Sequence, residues 1–515
     1  MFIAFIRTRA QRFLFLGVFL AIVAASISAA SAAGVDVTLL FFNDHHGHLS
    51  PFELKTDGAG QSVGGMARIA TLVRQVREEN AAAGVRTVLV VAGDILQGTP
   101  LSTVFKGQAD VACFNAMGVD AVTVGNHEFD FGLDNFKALV QQARFVFMSA
   151  NIRWKDGGRP LVAAGQRIAL GDGLFIHFIA VTTPELLTLT RPEYVAPLSV
   201  AAPVSVVRDA VDRIQGKGPV VLVSHSRHRT DIAIGSAVPE LAAIIAGHDH
   251  LLFDPPRHAG SVPVYQALDY GRYLGRLDLR VDSATGHATT QSWRYIPITA
   301  DIPPDPEVAG IIASYEGRLG AQFKETIGEA VVDLDAARAT VRFGETNWGD
   351  LVADVVRTYS GAQIALVNSG GLRASIYKGP ITVESIFRAL PFTNEIVILE
   401  VTGATLRAAL ARSVSPARED EDGGFLQVSG LRFRIEGKAP VDIRIGDGRQ
   451  PLADGQTYRV AVPDYLASGG DQYTMFAGLP RLDTGLPLRD IVVEDIRRKG
   501  RIAPAVDGRI ARGAE

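Results

Sequence analysis

Five short apolar runs, each stopped by a polar cluster, constrain this chain more than any other feature. The runs occupy 37–42, 88–91, 121–124, 220–223 and 242–246. Short runs rich in Val, Ile and Leu read as buried strands. The clusters that follow are Asn43-Asp44-His45-His46-Gly47-His48, Gly93-Asp94, Gly125-Asn126-His127-Glu128-Phe129-Asp130, Ser224-His225 and Gly247-His248-Asp249-His250. An open α/β sheet carries its site beyond the carboxyl ends of its strands. Helical periodicity at 65–79, 101–117 and 133–143, with strand-like runs at 145–148 and 175–181, continues the alternation. Residues 34–300 are therefore predicted to form a layered α/β domain.

The pattern breaks near 296–306. Ile302-Pro303-Pro304-Asp305-Pro306 is a stiff punctuation, because Pro fixes φ and removes a donor. A helix-like stretch at 307–323 follows, so 301–326 is expected to be a linker with a helix. A second α/β unit is expected over 327–515, with strand candidates at 362–367, 395–401 and 458–462. All eleven His lie between His45 and His287, which assigns metal chemistry to the first unit.

A single His at a strand end is more often structural than a ligand, and one Gly-Asp pair is first of all a turn. Seven of the eleven His fall in these few clusters beside carboxylates and Gly, and that joint pattern predicts a metal site. Oxygen and imidazole donors suit Mn, Zn, Co or Fe. Two such ions about 3.5–4 Å apart can share a hydroxide and clamp a phosphoryl group. The pattern argues for a metal hydrolase.

Hydrophobic content of 47% and charged content of 21% are ordinary for globular domains. A net charge of -4 without a basic tract argues against a nucleic-acid polymer as partner. The one cysteine, Cys113, permits no intramolecular disulfide and sits in a helical pattern as a small buried hydrophobe. Arg7, Arg9 and Arg12 precede an apolar stretch at 13–27 and a small-x-small site, Ala30-Ser31-Ala32. Residues 1–33 therefore read as a secretory signal peptide, an uncleaved anchor being the alternative. Export to a periplasm or the exterior is expected, with no stable membrane anchor after cleavage.

Asp44-x-His46, Gly93-Asp94, Gly125-Asn126-His127-Glu128, His225 and Gly247-His248-x-His250 resemble, in order and spacing, the calcineurin-like metallophosphoesterases. The resemblance implies a four-layer αββα sandwich holding two divalent ions. It implies that Asp44, His46 and His250 hold one metal, that Asn126, His225 and His248 hold the other, and that Asp94 bridges. It implies that His127 is not a ligand but assists the transition state, paired with Asp130. A carboxylate beside an imidazole orients the ring and favours its cation. The competing reading of Asp130 is a cap for the helix starting near Gly132. His45 and His48 lie off the pattern and are expected to support the site or face solvent.

In the second unit, Asn368-Ser369-Gly370-Gly371-Leu372-Arg373 is a Gly-rich strand-end turn with a guanidinium fork, a combination that can bind phosphate. With stretches 341–351, 390–392, 424–430 and 463–471, it resembles the C-terminal domain of the secreted 5′-nucleotidases. The match implies an α/β substrate-binding domain. Arg342, Asn368 and Arg373 would contact phosphate or ribose oxygens, Phe392 and Tyr465 would sandwich a base, and Asp471 would accept from ribose hydroxyls. The implied reaction is release of phosphate from nucleoside 5′-monophosphates by attack of a metal-bridging hydroxide. Some relatives rotate the second domain, and the Pro-rich stretch before 307 is the place to look for a joint. Ser226-Arg227-His228-Arg229 is unusually basic for the family, and Arg227 and Arg229 read as a solvated loop rather than contacts to a second phosphate. UDP-sugar pyrophosphatase and 2′,3′-cyclic-nucleotide phosphodiesterase with 3′-nucleotidase action remain alternatives, as does a nucleotide-binding protein without turnover.

Overall fold

A computed structural model describes residues 34–513, apart from 57, 58, 172 and 447–449. The proposed signal segment, 1–33, lies outside the described residues. Two six-stranded sheets form the first unit. In one, strands Gly34–Phe42, Arg86–Val91, Ala121–Thr123 and Val146–Met148 run parallel, and the hairpin Tyr273–Asp282 and Ala288–Pro297 extends the Gly34–Phe42 side. In the other, Leu174–Thr182, Val220–His225, Leu241–Ala246 and Val262–Tyr265 run parallel. Alternation along the strands sorts their side chains. Val37, Leu39, Phe41, Val88 and Val90 meet Ile176, Phe178, Val221, Val223 and Ile245 between the sheets. Leu40, Phe42, Leu89 and Val91 point the other way, onto helices Met66–Ala82 and Gln108–Met117. Ile179, Leu222 and Ile244 face helices Pro203–Asp212 and His228–Ala237 on the far side. The result is helix, sheet, sheet, helix. Thr123 Oγ1 donates across the sandwich to Val223 O at 2.9 Å, which fixes the two sets of strand ends against each other.

The helix expected over 101–117 is two helices, Pro100–Val104 and Gln108–Met117. Lys106 and Gly107 both take positive φ, and a Cβ at Gly107 would stand 2.6 Å from Leu96. Backbone conformation and packing there override the continuous apolar periodicity.

The Pro-rich stretch packs against the first unit. Pro303 O accepts from Thr71 Oγ1 at 2.7 Å, and Asp305 N donates to Ala67 O at 2.9 Å. Asp305 then caps helix Pro306–Leu319, whose Val308 and Ile312 complete the first core. Beyond Gly320, Phe323 already packs against Phe387 of the second unit. The chain changes core between Leu319 and Phe323.

The second unit is built on a five-stranded sheet ordered Leu426–Ser429, Ile364–Asn368, Thr457–Pro463, Glu395–Thr402, Arg481–Pro487. Helix Asn347–Ser360, capped by Thr346 and ended by left-handed Gly361, buries Trp348 against one face. Helix Gly403–Val414 covers the other. Among the described residues no helix is long and apolar enough to cross a membrane.

Candidate active site

The five polar clusters converge where the parallel strands of both sheets end. Asp44 follows Gly34–Phe42, Asp94 follows Arg86–Val91, Asn126 follows Ala121–Thr123, His225 ends Val220–His225, and His248 and His250 follow Leu241–Ala246. Asp44, His46, Asp94, His248 and His250 all adopt positive φ. Non-Gly residues rarely do so, and such strain collects at functional sites. Two glycines make the close approach possible. A Cβ at Gly93, which itself has φ +82, would lie 2.5 Å from His225 Nδ1, and one at Gly125 would lie 2.2 Å from Asp94 Oδ1.

Two groups of donors result. In one, His46 Nε2 faces His250 Nε2 at 3.1 Å, with Asp44 Oδ1 3.3 Å from His250. In the other, His225 Nε2 lies 3.2 Å from His248 Nδ1 and 3.1 Å from Asp94 Oδ2. Asp94 Oδ2 also lies 3.7 Å from His46 Nε2, so this carboxylate stands between the groups. Asp44 Oδ1 and Asn126 Oδ1 are buried and without a hydrogen-bond partner among the described residues. Buried orphan acceptors beside facing imidazole nitrogens are a donor set that fits divalent cations.

The rings are held from behind. His225 Nδ1 is 2.8 Å from Ala92 O and His250 Nδ1 is 2.8 Å from Asp269 Oδ2, contacts that fix tautomer and orientation. Asp44 Oδ2 accepts from His248 N and from the Asn43 amide. Buried Glu128 accepts backbone N–H groups of Asp94, Ile95 and Gly125, tying two ligand loops together. Neither Asp269 nor the role of Glu128 was legible in the sequence. Asp269 belongs to no cluster, and Glu128 sits within the pattern without a signal of its own.

The electrostatics match a place for cations. Burial pushes Asp44 up to about 7. Burial holds His46 and His250 well below the usual histidine range, helped by Arg373 and Arg338 respectively, and lowers His248 to about 3. Neutral imidazole is the ligating form. Burial opposes charge on His225 too, but Asp94 and Asp44 outweigh it and push that ring up to about 10.

His127 Nδ1 is 2.6 Å from Asp130 Oδ2, and its Nε2 is 3.9 Å from Asp94 Oδ2. Asp130 thus engages the imidazole. His45 and His48 do not face solvent: both are buried, His45 edge-on to Phe42 and Phe114, His48 stacked 4.0 Å from Tyr270.

The second unit closes over this floor. Asp94, Asn126, His127, Asp130, His248 and His250 share one cavity with Arg342, Asn368, Arg373, Phe392, Tyr465 and Asp471. Arg373 Nη2 comes 3.2 Å from His46 Nε2, and the Phe392 ring lies 5.8 Å from that of His127. Asn368 Nδ2 and the Tyr465 hydroxyl donate to the two oxygens of Asp471, at 2.8 and 2.9 Å. Arg342 donates to Glu421 O. Arg191, Arg227 and Arg338 line the same cavity. The solvated-loop reading of Arg227 is therefore overturned: it is partly buried and bridges Glu185 to Asp420 O of the second unit, while half-exposed Arg229 pairs with Asp420. Isolated arginines give no periodic signal, so these roles had no sequence signature.

Residues 37–252 match the calcineurin-like phosphoesterase family, and residues 325–478 match the 5′-nucleotidase C-terminal domain. The chain is 30% identical to human 5′-nucleotidase, covering 93% of this chain and 91% of that protein. It is 29% identical to the trifunctional nucleotide phosphoesterase YfkN of Bacillus subtilis, of which it spans 35% of the length. The crystal structure of a 5′-nucleotidase precursor from Thermus thermophilus superposes with a TM-score of 0.84 at 30% identity, over 93% of this chain and all of that one. The strand-end donor set, the two-unit cavity and these likenesses agree: the chain belongs to the 5′-nucleotidase family and is a metal-dependent phosphoester hydrolase.

Proposed function

We propose that the protein releases phosphate from nucleoside 5′-monophosphates. The observation that carries this reading is the shared cavity, which sets the polar strand-end residues of the first domain against two aromatic rings and a carboxylate on the other domain. Asp44, His46 and His250 would hold one divalent ion and Asn126, His225 and His248 a second, with Asp94 common to both. Bound there, such ions lower the pKa of water to near neutrality and offset charge on phosphoryl oxygens. Mn, Zn, Co and Fe all suit the donors.

The chain's own residues supply the rest. With Nδ1 engaged by Asp130, His127 presents Nε2 to the cavity. It is placed to stabilise the phosphoryl group or to protonate the departing ribose oxygen. Burial disfavours the imidazolium, but Asp130 and Asp94 together raise its pKa. Arg373 and Arg342 orient the phosphate, Asn368 and Asp471 the ribose, and Phe392 and Tyr465 the base. Stacking tolerates any base, so broad base specificity follows. Arg227 and Arg338 on the cavity wall favour a second reading, in which the substrate carries a further phosphate, as a nucleotide sugar does. We also propose export directed by residues 1–33.

The test is phosphate release from AMP by purified protein, with Mn²⁺ added and after chelation, beside UDP-glucose and 2′,3′-cyclic AMP. Metal-dependent release from AMP at the highest kcat/KM supports the proposal. Folded, metal-loaded protein inert to AMP but active on either other substrate would displace it, and tight AMP binding without any turnover would support a binding protein instead.

A further inference from the structure

The walls assigned to the base stand on two separate segments of the second domain, yet one side chain of the first domain grips both. Arg191 follows helix Leu186–Leu189. Its Nη1 donates to Asp464 Oδ2 at 2.7 Å, and its Nη2 lies 3.2 Å from Asp464 Oδ1, 3.1 Å from Thr393 O and 3.3 Å from Asn394 Oδ1. Asp464 immediately precedes Tyr465, and Thr393 immediately follows Phe392. Asp464 Oδ1 also accepts from Tyr465 N and Glu395 N, so its carboxylate binds the two segments to each other as well as to Arg191. A planar guanidinium can make these divergent contacts at once; a Lys ammonium presents a single point charge. Arg191 is only 20% exposed and Asp464 16%, which sets the pair apart from weak, solvated surface bridges.

The same short segment reaches the metal loop. Thr190 Oγ1 donates to Asn126 O at 3.2 Å, and Thr188 O lies 3.1 Å from the Tyr465 hydroxyl. Residues 188–191 therefore connect a candidate metal ligand to both aromatic walls. Other contacts between the domains behave differently: Arg227 and Arg229 meet Asp420, and Arg338 meets Asp249 O, none of them beside Phe392 or Tyr465.

We propose that Arg191 is a positioning residue for base recognition, setting Phe392 and Tyr465 at the spacing that admits one nucleobase when the domains meet over the metals. The inference rests on the nucleotide reading above. It assigns the setting of the base-stacking walls on the second domain to a residue of the first.

The experiment compares AMP with ribose 5-phosphate, which carries the same ester and sugar but no base, in metal-loaded full-length protein. A stacked base should give the wild type a kcat/KM advantage of roughly tenfold to a hundredfold for AMP. Arg191→Ala should collapse that advantage to within about threefold, chiefly through KM for AMP, with a much smaller change on ribose 5-phosphate. Arg191→Lys should recover part of it. Asp464→Asn should shift the same ratio, and the double variant should be no worse than the worse single one. It also serves if Arg191→Ala folds poorly, as judged by thermal midpoint and metal content. An equal loss on both substrates, or an unchanged ratio in well-folded Arg191→Ala and Asp464→Asn, overturns the proposal. A wild type with no preference for AMP overturns the base-clamp reading itself, and Arg191 with it.

Discussion

Glu128 offers the sharpest test of how the metal loops are held. Its side chain is fully buried and accepts N–H groups from Asp94, Ile95 and Gly125, which belong to two different strand-end loops. Glu128→Ala strands three buried donors and opens a small void. An unsatisfied buried donor costs about 1–3 kcal/mol, and partial relaxation makes the three less than additive, so a loss of about 3–6 kcal/mol is expected. At roughly 2–4 °C per kcal/mol for a domain of this size, the midpoint should fall by about 6–24 °C. Asp94 and Asn126 should shift with their loops and metal affinity should drop. Glu128→Gln separates geometry from charge: its amide keeps the shape and one acceptor oxygen but turns an NH₂ toward a backbone donor. It should lie between wild type and Ala in both properties. The assay is thermal unfolding of metal-loaded protein together with bound metal after dialysis. A Glu128→Ala protein whose midpoint moves less than about 2 °C, with full metal content, would refute the account of Glu128 as the tie between loops.

His127→Ala should lower kcat on AMP by about 10²–10⁴-fold while bound metal is retained, and loss of metal in that variant would contradict a role outside the ligand set. Gly93→Ala should abolish metal binding, since its Cβ would press on His225 at a backbone conformation that L side chains avoid; metal analysis of the folded variant checks it. Burial pushes Asp350 up to about 8, Arg509 opposing it and the carboxylates of Glu345 and Asp507 adding to it, while Asp354 pairs with the same Arg509. Its protonated form is the one the fold favours, so the stability it contributes is present at low pH and is lost as pH rises through about 8. Between pH 6 and 9 that amounts to at most about 2.7 kcal/mol, and Asp350→Asn, which stays neutral, should flatten the fall in thermal midpoint over that range. An unchanged slope would count against the assignment.

The parallel strands were readable because both of their faces are covered. Val37, Leu39 and Phe41 pack between the sheets while Leu40 and Phe42 pack under helices, so the sequence there is apolar without interruption. The hairpin Tyr273–Asp282 and Ala288–Pro297 gave no comparable signal. Its second strand is mostly half-buried or exposed and reads Ala-Thr-Thr-Gln-Ser-Trp-Arg-Tyr. Helix Pro306–Leu319 was placed well in sequence, but its allegiance was not, because a Pro-rich entry looks the same whether or not it is pinned to a neighbouring helix. Only the contacts of Pro303 and Asp305 with Thr71 and Ala67 show that it is.

The site divides along the same physical line. Polar clusters at strand ends are short-range features, each announced by the apolar run before it, and the resemblance to the calcineurin-like phosphoesterases then singled out Asp44, His46, Asp94, Asn126, His225, His248 and His250 within them. What orients them is long-range. Asp269 reaches His250 from 19 positions away, Ala92 O reaches His225 across 133, and Arg373 approaches His46 across 327. No local pattern encodes such pairs, since the partner is often a backbone carbonyl or a solitary arginine. The same reasoning places the cavity's specificity in contacts that join the domains. On the proposed reading the first domain would hold cations by itself, because all seven proposed donors stand on its own strand ends. It would not recognise a base alone, because Phe392 and Tyr465 come from the other domain. If so, selectivity among substrates should respond to interdomain residues such as Arg191 and Asp464 more than to substitutions among the proposed metal donors, which would act on every phosphoester alike.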